Sequence, residues 1–298
     1  YSLSEQLLLP NLIRKCDVAL MHFPHFNAPL FCPVPYIATI HDLILHKFPN
    51  EASLGKRLAY RFLMRNTEKK ARHLIAVSAS TADDLERTYG EGVRKRISVI
   101  HEGISPDFQK ASEQETQRVR AKYNLPQGFI LYIGSAKEHK NVQALIDACP
   151  EERTLVLVTG GKEASHLKLR ENVRILSNVP DEDLPALYSA ASCTVSPALT
   201  EGFNFPVLEA LACGCPVIAT NRGATPEICG GHCLLVEPTV EGLAKGMRKM
   251  DNGQWAMDND SMEYAQSFTW EKVATETVKI YRSLLQVYPE QSRRAGEG

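Results

Sequence analysis

Short, almost unbroken apolar runs that alternate with helical stretches constrain this chain most. Residues 36–40 (YIATI), 74–77 (LIAV), 129–133 (FILYI), 155–158 (LVLV) and 217–219 (VIA) are of this kind. A strand buried on both faces needs apolar residues at every position, so such runs imply parallel sheets covered by helices on both sides. Further strands are expected at 18–23, 97–100, 173–176, 194–195 and 234–236. Helices are expected at 54–71, 81–89, 113–123, 141–148, 163–169, 181–190, 205–213, 226–229 and 270–287. Ser80 with Asp83, or Thr81 with Asp84, fits a capping box for the 81–89 helix. The polar stretch 106–127 separates two α/β halves, and the tail 291–298 (QSRRAGEG) is expected to fray. Two doubly wound sheets facing each other make a cleft at their strand C-termini, where such folds bind ligands.

The chain has 298 residues, enough for two domains. Thirty-four basic against 35 acidic residues give a net charge of −1, which argues against a general nucleic-acid binder. No apolar run approaches the roughly 18 residues of a membrane span. Eight cysteines in mostly apolar settings, without a secretion signal, read as free thiols. The alternative is a zinc site from Cys213, Cys215, Cys229, His232 and Cys233. Its spacings do not fit the usual CxxC pairs, so no metal is expected.

The stretch Glu201-Gly-Phe-Asn-Phe-Pro-Val-Leu-Glu209 is the most informative. It leaves a strand and opens a helix, with Pro206 in the first turn, where its missing N–H costs nothing. A helix N-terminus beside a glycine offers N–H groups and a positive dipole end to an anion. Glu201 and Glu209 can each accept hydrogen bonds from sugar hydroxyls. Together they describe a nucleotide-sugar site. The alternative is an ordinary strand–loop–helix with two solvated acids.

The stretch EGFNFPVLEALACGCPVIATNRGATPEICG closely resembles the signature of family-4 retaining glycosyltransferases, with their Glu-x7-Glu motif. The likeness runs through HFPHFNAP, TIHDLI, LIAVSASTADDL, RISVIHEGISPDF, YIGSAKEHKN, VTGGKE and NVRILSNVPDEDLPALYSAASCTVSPALTEGF to FTWEKVATETVKIYRSLL. It therefore covers nearly the whole chain in order.

The resemblance implies the α/β GT-B fold, two Rossmann-like doubly wound domains facing a cleft. Residues 1–112 would form the acceptor-side domain, 113–268 the donor-binding domain, and 269–298 a terminal helix crossing back to the first domain, with the tail. Family members begin with a strand and a Gly-rich loop that YSLSEQLLLP does not match. The first domain is therefore expected to lack its N-terminal βαβ portion, by truncation or because that portion lies outside this sequence.

By the same resemblance, Glu201 would hold donor-sugar hydroxyls and Glu209 the ribose. The backbone of Gly202, Phe203 and Asn204 would lie beside sugar and phosphates, with Phe205 opening the helix. Asn204 stands where the family often has Gly, and Asn tolerates a left-handed backbone. Lys140 would pair with the diphosphate, with Lys137 as a second cation where the family usually carries an Arg; a solvated loop lysine is its alternative. Leu176 and Val179 would flank the base, or serve in packing.

His41, followed by Asp42 at the end of strand 36–40, would approach the transferred sugar. His22 and His25 would reach the acceptor, or have structural roles. The helix at 54–72 carries Lys56, Arg57, Arg61, Arg65, Lys69, Lys70 and Arg72 around Leu54, Leu58 and Phe62; it reads either as a solvated basic face or as a contact for anionic lipid.

The expected enzyme is a retaining hexosyltransferase of polysaccharide biosynthesis. It would use a UDP- or GDP-linked sugar and a glycan or lipid-linked acceptor, without metal or other cofactor. It would be cytoplasmic, with peripheral contact at the inner membrane face as one reading. A sugar-nucleotide epimerase and a non-catalytic nucleotide-sugar-binding subunit are the alternatives.

Overall fold

A computed structural model of the chain describes residues 3–160 and 163–287; the tail 291–298 lies outside them. The chain divides into two compact units, one formed by residues up to Glu102 and from Trp270 on, the other by Gly103–Thr269.

The first unit holds a parallel sheet of β1 (Met21–Phe23), β2 (Tyr36–Ile40), β3 (His73–Ala76) and β4 (Ile97–Val99), in that order. Alternate residues of a strand face opposite sides, and β2 uses both. Tyr36, Ala38 and Ile40 enter a core with Leu74, Leu85 and, from the Leu54–Lys70 helix, Tyr60, Leu63 and Met64. On the other face Ile37, Ile75 and Ile100 pack against Val273, Ile280, Tyr281 and Leu284 of the Trp270–Val287 helix.

Apart from one-residue shifts at element ends and a short unexpected helix at Ile44–Lys47, sequence and structure differ here in three places. The strand expected at 18–23 pairs only over Met21–Phe23, because its partner begins at Tyr36. The 81–89 helix begins at Ala79, and its cap is Ser78, whose side chain accepts the Thr81 N–H. Asp84 is drawn instead into ion pairs with Lys47 and Arg87. A helix at Leu3–Lys15 was not expected, and an internal Pro10 hides it in the sequence.

The second unit holds six parallel strands in the order β10-β9-β8-β5-β6-β7, namely Leu234–Val236, Val217–Thr220, Cys193–Ser196, Ile130–Ile133, Leu155–Val158 and Val173–Leu176. The chain lays down β5, β6 and β7 toward one edge. It then returns to add β8, β9 and β10 on the other side of β5. Loops leaving the paired strands β5 and β8 therefore diverge, opening a crevice at their carboxyl ends.

The core beneath is formed by Ile130, Tyr132, Leu155, Leu157, Val195 and Ile218 with Val142, Leu145 and Leu243 from helices. The Val240–Asp251 and Ser261–Gln266 helices were not expected. Thr239 caps the former by accepting the Gly242 N–H at 3.0 Å. The segment expected as helix at 163–169 forms only a short 3-10 turn, Glu163–His166.

His22 of β1 is bound at both ring nitrogens, by Tyr281 Oη at 2.6 Å and Thr39 Oγ1 at 2.8 Å. Both partners belong to the first unit, so His22 ties the terminal helix to the sheet, and no ring nitrogen is left for an acceptor. Tyr281→Phe should lower the unfolding free energy by about 1 kcal/mol, the usual net worth of such a bond. Urea denaturation measures this, and an unchanged midpoint would remove the tie from the account.

Candidate active site

The crevice of the second sheet brings two of the expected donor residues, Lys140 and Glu201, together. After β5 the chain makes a 3-10 turn, Glu138–Lys140, ended by Asn141 in the left-handed conformation (φ 56°). The Asn141 amide donates to the carbonyl oxygens of Pro197 (3.1 Å) and Pro238 (3.2 Å). Leu199 N–H donates to the His139 carbonyl at 2.7 Å. These bonds lock the β5 loop to the loops after β8 and β10. Across the lock, Lys140 Nζ lies 2.6 Å from Glu201 Oε1, with the lysine side chain 20% and the glutamate 9% exposed. Lys137 is exposed, and its ammonium makes no hydrogen bond or ion pair among the described residues.

The loop then enters the Phe205–Ala212 helix through Asn204, which is left-handed (φ 84°, ψ 60°), the glycine-like conformation expected of it. Its buried amide donates to Ser196 Oγ (2.9 Å) and Thr225 Oγ1 (3.0 Å), and it makes no side-chain cap. Phe203 is buried with its ring against Phe205 (5.0 Å between centroids) and Phe268 (6.2 Å), which anchors the loop.

Glu209 lies one turn into the helix. It accepts a hydrogen bond from Tyr188 Oη at 2.8 Å, and burial pushes its carboxyl up from the usual range. It borders a cavity of about 860 Å³ together with Phe108, Asp181, Glu182, Leu184 and Pro185. Leu176 and Val179 do not line this cavity. Leu176 ends β7, and Val179 follows the left-handed Asn178 (φ 58°).

Gly223 is a site residue the sequence reading missed. Its φ is +58°, and a Cβ there would lie 2.6 Å from the Glu201 nitrogen and 2.7 Å from its carbonyl oxygen. The neighbouring Ala224 N–H donates to that same carbonyl at 3.1 Å. The loop after β9 thus presses directly on the backbone of Glu201, which only glycine permits. The glycine in NRGATPE was visible; the contact it serves was not. Tyr188 and Asn141 were missed for the same reason, since each acts on a residue distant in sequence.

In the first unit, His41 follows β2. Its Nε2 lies 2.8 Å from the Pro24 carbonyl oxygen and its Nδ1 3.1 Å from Glu102 Oε1. The Glu102 hydrogen bond, working against burial, raises the His41 pKa. Burial, helped by the charge of His41, lowers that of His25, whose ring lies tilted against Phe26 (4.1 Å) and faces His41 (6.2 Å). Asp42 is turned to local use, with Oδ1 accepting the Ile44 N–H at 2.9 Å. Glu102 was also missed, because nothing in its neighbourhood marks a partner 61 residues away.

None of the eight cysteines is disulfide-bonded, and six are buried. His232 pairs with Asp258 at 2.9 Å. No group of three metal-ligating side chains occurs among the described residues.

Residues 113–268 match the family described as Glycosyl transferases group 1, and residues 1–108 match Glycosyltransferase Family 4. The O-antigen chain mannosyltransferase B of Escherichia coli is 30% identical over 292 residues, covering 91% of this chain and 76% of that protein. The chain belongs to the family-4, group 1 glycosyltransferases. The MMP alpha-(1->4)-mannosyltransferase of Mycolicibacterium hassiacum is 27% identical, covering 84% of this glycosyltransferase and 66% of its own length.

Two solved structures share the GT-B fold. Sucrose-phosphate synthase from Thermosynechococcus elongatus has a TM-score of 0.75 at 23% identity, over 94% of this chain and 77% of its own. Anabaena HepE in complex with UDP-glucose has a TM-score of 0.76 at 19% identity, over 95% and 84%.

Gly223→Ala in this glycosyltransferase should cost about 1–3 kcal/mol from the left-handed backbone and the clash. It should also displace Glu201 and lower transfer more than it lowers stability. Thermal melts alongside a transfer assay separate the two. A variant that melts lower but transfers at the wild-type rate would contradict the role given to Gly223.

Proposed function

We propose that this glycosyltransferase moves a hexose, with retention of configuration, from a UDP- or GDP-linked donor to a growing glycan or lipid-linked glycan. The observation that carries the reading is the Lys140–Glu201 pair, held at 2.6 Å where the β5 and β8 loops diverge, next to an uncapped helix N-terminus. Lys140, Lys137 and the first turn beginning at Phe205 supply positive charge to the diphosphate and its leaving oxygen. Glu201 receives donor-sugar hydroxyls and Glu209 the ribose hydroxyls, with the backbone from Gly202 to Asn204 beside them. The base lies toward the segment from Leu176 and Val179 to Asp181.

His41 acts on the sugar side. His25 and Asp42, its neighbours, belong to the acceptor side. No carboxylate serves as covalent nucleophile in this scheme; the departing phosphate assists acceptor deprotonation. Side chains and a helix end carry the phosphate charge, so the scheme calls for no metal or other cofactor.

The mannosyltransferase names of the relatives and the UDP-glucose held by Anabaena HepE support a hexose donor. Glu201→Ala should cut transfer at least about 100-fold, the scale for losing one aimed polar group in an active site. Folding should be retained, as read by melting temperature and by the shift that UDP or GDP induces. Transfer at the wild-type rate by this variant would sink the proposal.

No helix among the described residues is long and apolar enough to cross a membrane. Peripheral contact is a separate matter, favoured by one observation. Leu54, Leu58 and Phe62 lie on successive turns of the Leu54–Lys70 helix and are 61%, 58% and 62% exposed, among Lys56, Arg57, Arg61 and Arg65. Apolar side chains ringed by cations suit the surface of an anionic bilayer. Unpaired thiols suit a reducing compartment, and the cytoplasmic leaflet is the anionic one. Phe62→Asp should reduce co-sedimentation with phosphatidylglycerol vesicles and leave neutral phosphatidylcholine vesicles unbound. If wild type ignores both, the helix is a solvated face.

A further inference from the structure

We propose that Glu102 is a positioning residue that keeps the His41 ring protonated at both nitrogens, so that His41 serves the transfer as a fixed cation and not as a proton carrier. This rests on the sugar-side reading of His41 given above.

The geometry of the two ring contacts carries the inference. The Pro24 carbonyl oxygen, 2.8 Å from Nε2, can only accept a hydrogen bond. The Glu102 carboxylate, 3.1 Å from Nδ1, likewise only accepts when ionised. A neutral imidazole carries one N–H, so it would set a lone pair against one of the two oxygens. The ring satisfies both contacts by donating from both nitrogens, which makes it an imidazolium. The other arrangement that keeps both contacts puts the proton on Glu102, and the experiment below distinguishes it.

Glu102 is suited to the task. Its side chain is 13% exposed, against 38% for His41, so the carboxylate sits behind the ring while the ring remains accessible. The other titratable groups facing His41 are Asp42, whose charge also favours the imidazolium, and His25, whose ring lies 6.2 Å away. His25 does not compete for the proton, because burial and the His41 charge both lower its pKa.

Two consequences follow. With both N–H bonds committed, His41 has no nitrogen free to take the acceptor's proton. What it offers a ligand is a charge of fixed position. The sign of the pH dependence is set by the raised pKa. His41 stays charged above the ordinary imidazole range and loses its charge only as pH climbs through the raised value. Transfer should therefore hold through neutrality and fall on the alkaline side.

The test uses the full chain as wild type, Glu102→Gln and Glu102→Asp, with His41→Gln to assign its signal. Long-range proton–nitrogen spectra of the histidine rings are recorded across pH, and kcat is measured over the same range. In wild type at neutral pH the His41 signals should show both nitrogens protonated. Glu102→Gln should move the His41 titration and the alkaline limb of kcat together to lower pH. It should leave kcat several-fold reduced above neutrality and close to wild type on the acid side, while the His25 titration rises. Glu102→Asp should restore part of each shift.

A wild-type His41 with one unprotonated nitrogen at neutral pH overturns the proposal. So does an unmoved His41 titration in Glu102→Gln, or a titration that moves while the kcat profile stays. Should Glu102→Gln fail to fold, the wild-type spectra and Glu102→Asp decide. Should wild type transfer no sugar at all, the functional reading fails separately, and the ring titration alone decides whether Glu102 holds the charge.

Discussion

The pairing of β5 with β8 is the constraint on which the second unit of this glycosyltransferase depends. The two strands are neighbours in the sheet although residues 134–192, with β6 and β7 among them, separate Ile133 from Cys193 in the chain. Their loops leave in different directions because the chain changes its winding there. Lys140 and Glu201, each unremarkable where it stands in the sequence, meet in that crevice at 2.6 Å. A partly buried cation and anion so close hold each other in place before any donor arrives.

Backbone conformation does much of the remaining work. Asn141 and Asn204 both take left-handed φ values, and each commits its amide to groups outside its own turn. Asparagine accepts this conformation at modest cost and returns two donors for fastening loops together. Gly223 adds the third fastening, since its lack of a Cβ lets the β9 loop lie against Glu201. Glu201 is therefore aimed by backbone from two sides. Glu209 is aimed by Tyr188, and its burial leaves the carboxyl harder to ionise than one in water. Groups held at such cost are more common where ligands bind than where they only pack.

Much of the fold was legible in the chain. Strands Tyr36–Ile40, Leu155–Val158, Val173–Leu176 and Leu234–Val236 and the Trp270–Val287 helix have the expected bounds. Continuous apolar runs leave few other readings in a covered parallel sheet. Errors gathered where local signals are weak or conflicting. Pro10 masks a helix, and Ser78 caps where Ser80 or Thr81 also could. A strand's length is set by where its partner begins, so β1 is shorter than its apolar run. Of the histidines expected at the acceptor, His22 meets Tyr281, 259 residues away, at its Nδ1.

By itself the sequence determined the class of fold, the two α/β halves, the family and the residue types that gather around Glu201. These follow from apolar periodicity, from the order of strands and helices, and from motifs contiguous along the chain. Tertiary structure alone decided the partners. That Lys140 meets Glu201, that Tyr188 holds Glu209, that Gly223 presses on Glu201 and that Glu102 meets His41 are contacts between residues far apart in the chain. No local pattern encodes such pairs, because they are set by which strands lie side by side and by the backbone angles of the loops that leave them.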